Sequence, residues 1–206
     1  STVLSLCTEL EIPVVAQGGL TGLVGATVPG EDAIALSLER MNKIESVDPI
    51  GRTMTVEAGV PLQAVQMRAD EEGLLFPLDL GARGSCQIGG TVSNNAGGNR
   101  VIRYGMTRDM VLGLEVVLAD GTIVSSMNKM IKNNAGYDLK HLFIGAEGTL
   151  GVVTRVVLRL RTRPRSHCAA LIAVDEFEKV TRLLTAVDEG LGGTLSAFEV
   201  MWEEFY

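Results

Sequence analysis

A glycine- and asparagine-rich run from Cys86 to Gly98, CQIGGTVSNNAGG, restricts the possible folds of this chain more than any other feature. Two Gly-Gly pairs and two adjacent Asn residues favour a loop over an element that builds a hydrophobic core. Glycine lets backbone N–H groups approach a ligand closely and adopts dihedral angles that other residues avoid. Asn side chains add hydrogen-bond donors without charge. The run therefore predicts a loop wrapped around a large, polar, anionic cofactor.

Three other segments share this character, and 13 of the 24 glycines of the chain lie in the four runs. A dinucleotide fingerprint needs a long helix directly after its glycines, whereas Pro29 and Gly30 follow QGGLTGLVG almost at once. A P-loop is excluded because no Gly-Lys-Ser/Thr occurs. The first loop is thus either a nest of backbone N–H groups that binds phosphate or an ordinary glycine-rich turn. The three segments are Gln17–Gly25, Pro77–Gly84 and Gly145–Gly151.

Composition narrows the functional classes. The net charge of −7 over 206 residues disfavours nucleic acid as a partner, because phosphate binding needs a basic face. The basic run Arg155–Arg165 alternates with apolar residues and predicts a strand with one solvated face. Three cysteines without a CxxC spacing argue against a disulfide framework or zinc site and favour a reducing compartment, the cytoplasm. Neither histidine sits in a ligand cluster, so no metal site is predicted, and no run approaches the roughly 20 apolar residues of a membrane span.

Hydrophobic periodicity predicts a mixed α and β chain. Helices are expected at 1–11, at 61–72, where Pro61 and Gly73 flank the helix, and at 176–190, with Asp175 and Glu178 as a capping box. An Asp-Gly pair at 120–121 predicts a hairpin with a primed turn between strands 114–118 and 122–125. The remaining predicted strands cover 14–16, 33–38, 53–58, 152–160, 169–174 and 194–200.

Pro164, within Arg161–Arg165, marks a candidate boundary between domains at 1–162 and 163–206. Two strands and one helix after it are too few to bury a core of their own. We therefore expect that the native protein continues past Tyr206, that it also begins before Ser1, and that the second segment exposes apolar surface.

The order of the motifs is more specific than any one of them. QGGLTGLVG, PLDLGARGSCQIGGTVSNNAGG, RYGMTRDMVLGLEVVLADG and GYDLKHLFIGAEGTLGVVT follow one another over about 140 residues. This order resembles the FAD-binding domain of the vanillyl-alcohol oxidase / p-cresol methylhydroxylase superfamily. PLDLGARGSCQIGG, with LSAFEVM near the end, is most similar to the branch of D-2-hydroxyglutarate dehydrogenase, glycolate oxidase and D-lactate dehydrogenase. The resemblance implies an α+β fold with two α+β subdomains, followed by the start of an α+β cap domain.

The resemblance assigns cofactor-binding roles to four groups of residues. The diphosphate would contact Gly18, Gly19, Leu20, Thr21, Gly22 and Leu23. The isoalloxazine and ribityl region would contact Pro77, Leu78 and Gly81. Positions along the flavin would be Ser85, Gly89, Gly90, Asn94, Gly97 and Gly105. The adenosine half would contact Glu147, Gly148, Val152 and Val153.

Two departures from the family pattern bear on the cofactor. Some relatives attach flavin through a His in the first loop, where this chain has Thr21, so the FAD is predicted to be non-covalent. Asn94 stands where relatives often have Thr, and it keeps a donor and an acceptor.

Several single residues allow a functional or a structural reading. Glu147, flanked by glycines, favours a functional or loop-fixing role. A turn-capping role for Asp79 is as compatible with the sequence as a flavin-site carboxylate. For the rest the structural reading is favoured: caps or turns for Asp109 and Asp138, packing for Tyr104, Tyr137, Cys86 and His141, and solvent exposure for His167.

The resemblance implies oxidation of a D-2-hydroxy acid, such as 2-hydroxyglutarate, lactate or glycolate, by hydride transfer to flavin N5. It implies a quinone or electron-transfer flavoprotein as acceptor and is compatible with a homodimer. The family's catalytic and metal residues come from the cap domain, so the resemblance assigns none to this chain, and residues 1–206 alone are expected to be inactive. Two alternatives remain: a non-catalytic FAD-binding or electron-transfer subunit, and a nicotinamide-dependent reductase on the same scaffold.

Overall fold

The structure is a computed structural model that describes residues 1–205, so Tyr206 lies outside the described residues. The helices are α1 (Thr2–Glu9), α2 (Leu62–Glu71), α3 (Ile88–Ser93), α4 (Val101–Tyr104), α5 (Thr107–Met110), α6 (Lys140–Phe143) and α7 (Phe177–Leu191), with a 3₁₀ turn at Glu203–Phe205. The strands are β1 (Val14–Gln17), β2 (Ile34–Ser37), β3 (Ile44–Asp48), β4 (Thr53–Glu57), β5 (Leu74–Leu75), β6 (Val111–Val117), β7 (Ile123–Ser126), β8 (Val152–Arg159) and β9 (Arg161–Thr162).

A five-stranded antiparallel sheet in the order β3-β4-β8-β6-β7 forms the centre of the fold. Strand β8 lies in its middle, and most of its residues are buried. Its sequence VVTRVVLR is rich in β-branched residues, which pack well on a pleated surface. Beside this sheet, β1 and β2 pair in parallel, and β5 pairs with β9.

Two apolar clusters correspond to two α+β units. The larger one packs α2 and α3 against the five-stranded sheet through residues such as Leu62, Val65 and Ile88. The smaller one joins Leu4 of α1 and residues of β1 and β2 to the ends of β6 and β8. The α+β class with two subdomains is therefore confirmed.

The Cys86–Gly98 run is only partly the loop that its composition predicts. Its centre forms helix α3, and Ile88 and Val92 have no exposed surface. Glycine makes this burial feasible, because a Cβ on Gly89 would lie 2.7 Å from the Cβ of Ala58. The prediction that the run contributes nothing to the core is wrong: small residues let the helix pack directly on the end of β4.

The β6–β7 hairpin is confirmed, but its primed turn is wrong. A type I′ turn needs positive φ at both central residues, and in this turn only Gly121 has it, at +85°. The Asp120 carboxylate instead accepts a hydrogen bond from the Thr122 N–H, 2.8 Å away, and Gly121 N–H donates to Leu118 O. This Asx bond stabilises a longer turn from Leu118 to Thr122.

The C-terminal segment differs most from its prediction. Helix α7 forms, but residues 169–174 and 194–200 form no strands, and no strand of residues 1–205 runs beside them to complete a ladder. The predicted capping box is also absent, because Glu176 precedes the helix without a side-chain cap and Asp175 pairs with Lys179 at 2.6 Å. Strand β3, by contrast, forms without having been predicted.

Within residues 1–205, none of the helices is both long enough and apolar enough to span a bilayer.

Candidate functional site

A cleft, open at its mouth, lies between the two α+β units. One wall comes from the end of β1 and the loop after it, and the other from the end of β4, helix α3 and the Gly145–Gly151 turn. The cleft is lined by Ala16, Gln17, Gly18, Ala26, Thr27, Leu38, Ala58, Gln87, Gly89, Gly90, Ser93, Asn94, Glu147, Gly148, Gly151, Val152 and Val153.

The first wall is a loop held by few but specific contacts. The Gln17 side chain donates to the carbonyl of Thr27, 2.8 Å away, and so closes the loop on itself. Gly19 packs closely against Ser85, which lies just before the second wall in the chain. A Cβ atom on Gly19 would be 1.9 Å from the carbonyl oxygen of Ser85. Leu20 follows with φ of +54°, a left-handed conformation that costs a non-glycine residue about 1–3 kcal/mol.

The second wall is built on helix α3. The Gly89 N–H donates to Ala58 O at 2.7 Å, which ties the first turn of the helix to the end of β4. A Cβ on Gly90 would meet no atom within 4 Å, so the cleft continues over this glycine. The Asn94 amide donates to Gly90 O at 2.8 Å and stays on the same side of the helix.

Backbone hydrogen bonds attach the Gly145–Gly151 turn to the end of α3. The Gly145 N–H donates to Val92 O at 3.1 Å, and the Glu147 N–H donates to Ser93 O at 2.9 Å. Glu147 has φ of +53° although it is not glycine. This strained backbone brings the exposed Glu147 and the partly buried Gly148 to the edge of the cleft.

Arg108 of α5 fixes the chain just before this turn. Its guanidinium donates to His141 O at 2.9 Å and, in a short contact, to Ile144 O. Its backbone N–H donates to the Asn95 side chain at 2.9 Å. Arg108 thus joins α5, the segment after α3 and the end of α6 without lining the cleft.

The cleft carries little charge. Glu147 is the single ionisable side chain among the lining residues, and the polar remainder consists of amides, hydroxyls and backbone groups. Such walls offer backbone N–H groups and neutral donors to an anion rather than a cationic side chain. The sequence-based expectation of phosphate binding by backbone amides is compatible with this chemistry.

Gln87 is the exceptional polar residue of the cleft. It is 8% exposed, and its Oε1 has no hydrogen-bond partner among the described residues. The Oε1 atom would lie 3.4 Å from a Cβ built on Gly18, so it faces the start of the first loop. A buried polar atom without a partner is costly, so its presence in a cleft wall indicates a ligand-facing group.

The structure places some of the predicted cofactor-binding residues together in the wall of the cleft. The predicted residues that line the cleft are Gly18, Gly89, Gly90, Asn94, Glu147, Gly148, Val152 and Val153. The same loop carries Gly19, Leu20, Thr21, Gly22 and Leu23 beyond it. The side chain of Leu78 is 1% exposed and belongs to the core, and Pro77 beside it is also buried.

The other predicted positions are not among the residues that line the cleft. Gly81 and Ser85 are exposed. Gly97 packs near Val101, and Gly105 makes a turn with φ of +76°.

Sequence reasoning missed several lining residues. Those not predicted are Ala16, Gln17, Ala26, Thr27, Leu38, Ala58, Gln87, Ser93 and Gly151. Gln17 and Gln87 lie within the glycine-rich runs Gln17–Gly25 and Cys86–Gly98, and an amide residue close to Gly-Gly was a usable signal. Ala58 and Leu38 end ordinary strands, and only the packing of the two units places them here.

Most of the residues for which both a functional and a structural role were considered have the structural role. The Asp79 carboxylate pairs with Arg83 at 3.2 Å and Arg100 at 3.1 Å and so fixes the Pro77–Gly84 loop. Asp109 accepts from the Met106 N–H at 2.9 Å and caps α5, as predicted. Burial raises the pKa of the Cys86 thiol, which leaves it protonated and unreactive at neutral pH.

Two of the packing predictions need correction. Tyr137 is 95% exposed, so its predicted burial is wrong. His141 is only half-buried, and burial still lowers its pKa against the opposing effect of Asp138. No group of three or more potential metal ligands occurs within residues 1–205.

Comparison with known families gives one model that matches more than half of the chain. Residues 1–126 match the model described as FAD binding domain. The chain is 47% identical over 201 residues to the probable mitochondrial D-2-hydroxyglutarate dehydrogenase of Oryza sativa subsp. indica, covering 98% of this chain and 36% of that protein. It is 45% identical over 201 residues to the D-2-hydroxyglutarate–pyruvate transhydrogenase of Saccharomyces cerevisiae, covering 98% and 40%. The chain therefore spans well under half the length of these relatives.

A solved structure of alkyldihydroxyacetonephosphate synthase has a similar fold. Its TM-score with this chain is 0.71 at 24% identity, over 80% of this chain and 30% of the other. At this identity the likeness concerns the fold alone, which is the p-cresol methylhydroxylase-type FAD-binding architecture.

Proposed function

Because the chain belongs to the family of FAD-binding domains, we propose that FAD lies in the cleft between the two α+β units. The observation that carries this placement is Gln87, whose buried amide oxygen faces the cleft and has no hydrogen-bond partner within residues 1–205. The open space over Gly90 and the absence of cationic lining residues support it, since backbone N–H groups bind a diphosphate without side-chain charge.

We propose that FAD contacts the residues that the family resemblance implies. The loop from Gly18 to Leu23 holds the diphosphate, and the turn with Glu147 and Gly148 closes on the adenosine half. Residues from Pro77 to Gly105 follow the flavin, through backbone groups where the side chains are in the core. The FAD is held non-covalently, because Thr21 occupies the family's attachment position and neither His141 nor His167 lines the cleft.

The activity that fits this site best is oxidation of a D-2-hydroxy acid. A bound flavin would supply the hydride acceptor. The residues of this chain bind and orient the cofactor, and the packed walls around Ala58 and Val153 exclude water from one side of it. The names of the rice relative, a D-2-hydroxyglutarate dehydrogenase, and of the yeast relative, a D-2-hydroxyglutarate–pyruvate transhydrogenase, support the hydroxy-acid class.

Anaerobic reduction distinguishes this activity from the two alternatives. The open reading frame that contains this chain is loaded with FAD and mixed with D-2-hydroxyglutarate, D-lactate, glycolate or NADPH, while flavin absorbance is followed. Bleaching by a D-2-hydroxy acid is the expected result. Bleaching by NADPH alone would establish the reductase, and no bleaching by any of them would support a non-catalytic module.

The placement of FAD is tested separately by Gly90→Ala. A methyl group there meets no protein atom and replaces a helical glycine, so we expect the stability of the cofactor-free protein to rise by about 0.5–1 kcal/mol. FAD affinity should fall because the methyl group occupies the cleft. Gly190→Ala in α7, also helical and in open space, is the matched control that should leave FAD affinity unchanged. Equal FAD affinity in both variants would show that FAD does not bind over Gly90 in this cleft.

We further propose that the electron acceptor is a quinone or an electron-transfer flavoprotein, that the protein is a homodimer, and that a cap domain begins at residue 163. The cysteine pattern favours a reducing compartment, predicted as the cytoplasm, whereas the rice relative's name includes the word mitochondrial and favours the mitochondrion. Cell fractionation distinguishes the two compartments.

A further inference from the structure

Two buried side-chain oxygens have no hydrogen-bond partner within the described part of the chain, Thr53 Oγ1 and Gln87 Oε1. They differ in position. Thr53 begins β4 and lies away from the cleft, whereas Gln87 forms part of its wall beside Gly18. The pair therefore offers a matched comparison between an unpaired group inside the protein and one that faces a binding site.

The backbone carbonyl of Gln87 has a partner within the fold, but its side-chain oxygen has none among the described residues. Gln87 precedes α3 in an extended conformation, and its carbonyl accepts a hydrogen bond from the Thr91 N–H at 3.0 Å. It also forms an isolated bridge with Pro61. Its side chain caps no helix N–H. The fold therefore needs a residue at this position, but it does not need an amide.

We propose that Gln87 is a cofactor ligand that accepts a hydrogen bond from a sugar hydroxyl next to the diphosphate of FAD. The proposal rests on the placement of FAD in this cleft. An amide oxygen needs a donor, and the diphosphate oxygens are acceptors only, so they do not satisfy it. Gln87 faces Gly18, where the proposed diphosphate loop begins, and the groups covalently next to the diphosphate are the ribityl chain and the ribose. Both carry hydroxyl donors.

The test uses Gln87→Leu, which keeps the size of the side chain and removes its polar atoms, with Thr53→Val as control. In cofactor-free protein both changes remove an unsatisfied buried oxygen, so each should raise Tm by about 2–4 °C. Only Gln87→Leu should weaken FAD, with Kd rising about tenfold in a flavin-fluorescence titration. A gain in stability together with a loss in affinity is not expected of a residue that serves packing alone.

Two half-cofactors identify the hydroxyl. FMN contains the ribityl chain, and ADP contains the adenosine ribose with the diphosphate. If Gln87→Leu weakens FMN but not ADP, the donor is a ribityl hydroxyl, and the reverse result assigns it to the ribose. Either outcome supports the proposal.

Three results would overturn it. Wild-type protein that binds FAD no better than Gln87→Leu removes the role of Gln87 and leaves the placement of FAD intact. A Tm that falls in Gln87→Leu while it rises in Thr53→Val shows that the amide stabilises the protein itself. Failure of the wild type to bind FAD at all would remove both this proposal and the proposed function.

Discussion

Gly19 brings the first loop against Ser85, just before the segment that forms the second wall of the cleft. The Cβ position of Gly19 would lie 1.9 Å from the Ser85 carbonyl oxygen, which is backbone and has little freedom to move. The neighbouring Leu20 and, across the cleft, Glu147 both have positive φ without being glycine. Strained backbone of this kind persists where surrounding structure enforces it and often marks a binding site.

We predict that Gly19→Ala lowers the free energy of unfolding by about 2 kcal/mol or more, because the methyl group forces the first loop away from Ser85. Urea unfolding of the cofactor-free protein measures the change. Gly22→Ala, in the same loop with no atom within 4 Å of the new Cβ, should stay within about 0.5 kcal/mol of wild type. Equal stability of the two variants would show that the loop does not touch Ser85.

At the scale of elements, ion pairs and backbone contacts hold strands and turns in register. Arg155 of β8 reaches across the sheet to Glu45 of β3, at 2.6 and 2.7 Å, and to Glu115 of β6, at 3.2 Å. The register shift between Ile44 and Ser46 leaves Glu45 out of the ladder. Hydrogen bonding to Arg155 lowers the pKa of Glu45 below its usual 4.5.

This pair predicts a specific dependence of stability on pH. Because the folded-state pKa of Glu45 is lowered, its contribution is present above about pH 4.5 and is lost as the pH falls through the folded-state pKa. Glu45→Gln should cost about 0.5–1 kcal/mol at pH 7, and the difference from wild type should shrink in acid. Thermal unfolding between pH 7 and pH 3 measures it. Glu31→Gln, an exposed position, is the control, and a difference independent of pH would contradict the prediction.

Arg108 predicts a coupling between α5 and the cleft turn. Arg108→Ala leaves the carbonyls of His141 and Ile144 without their charged donor, so we expect a loss of about 2 kcal/mol. Hydrogen exchange should accelerate most at the Gly145 and Glu147 amides. Arg83→Ala, which removes one exposed ion pair, should change neither, and uniform acceleration over the whole sheet would argue against a local anchor.

At the scale of the whole molecule, residues 163–205 have little share in the core. Neither apolar cluster contains a residue beyond Leu160, and helix α7 buries none of its side chains. Polar contacts to the rest of the described chain include the exposed Arg163–Asp70 pair at 2.6 Å and the Arg103 bond to Thr194 O at 3.2 Å. Exposed apolar residues such as Leu171, Phe177 and Trp202 agree with the predicted apolar surface.

We therefore predict that a chain ending at Thr162 unfolds within about 2 °C of the full chain, because the contacts it loses are exposed and worth little. It should also keep its FAD affinity and become more soluble, since the apolar surface of the second segment is removed. Differential scanning calorimetry and sizing chromatography measure both properties. A fall of Tm by ten degrees or more would place the boundary elsewhere.

Local sequence determined most of the elements. Pro61 and Gly73 delimit α2, a run rich in β-branched residues favours β8, and the glycine motifs in their order indicate the FAD-binding family. These signals are local because turn chemistry, helix ends and periodicity involve residues near one another in the chain. Strand β3 forms although it was not predicted, and the strands predicted at 169–174 and 194–200 do not form. Both differences arise because a strand exists only if a partner strand lies beside it.

The tertiary structure alone decided how the motifs meet. Composition suggested a loop at Cys86–Gly98, but contact with Ala58 turns its centre into a buried helix. Leu38, Ala58 and Gln87 reach the cleft only because α1, β1 and β2 pack on the ends of β6 and β8. The sequence by itself determined which cofactor family this chain belongs to, through the chemistry of its glycine loops. Long-range packing decided which side chains face the cleft, because that depends on contacts between residues far apart in the chain.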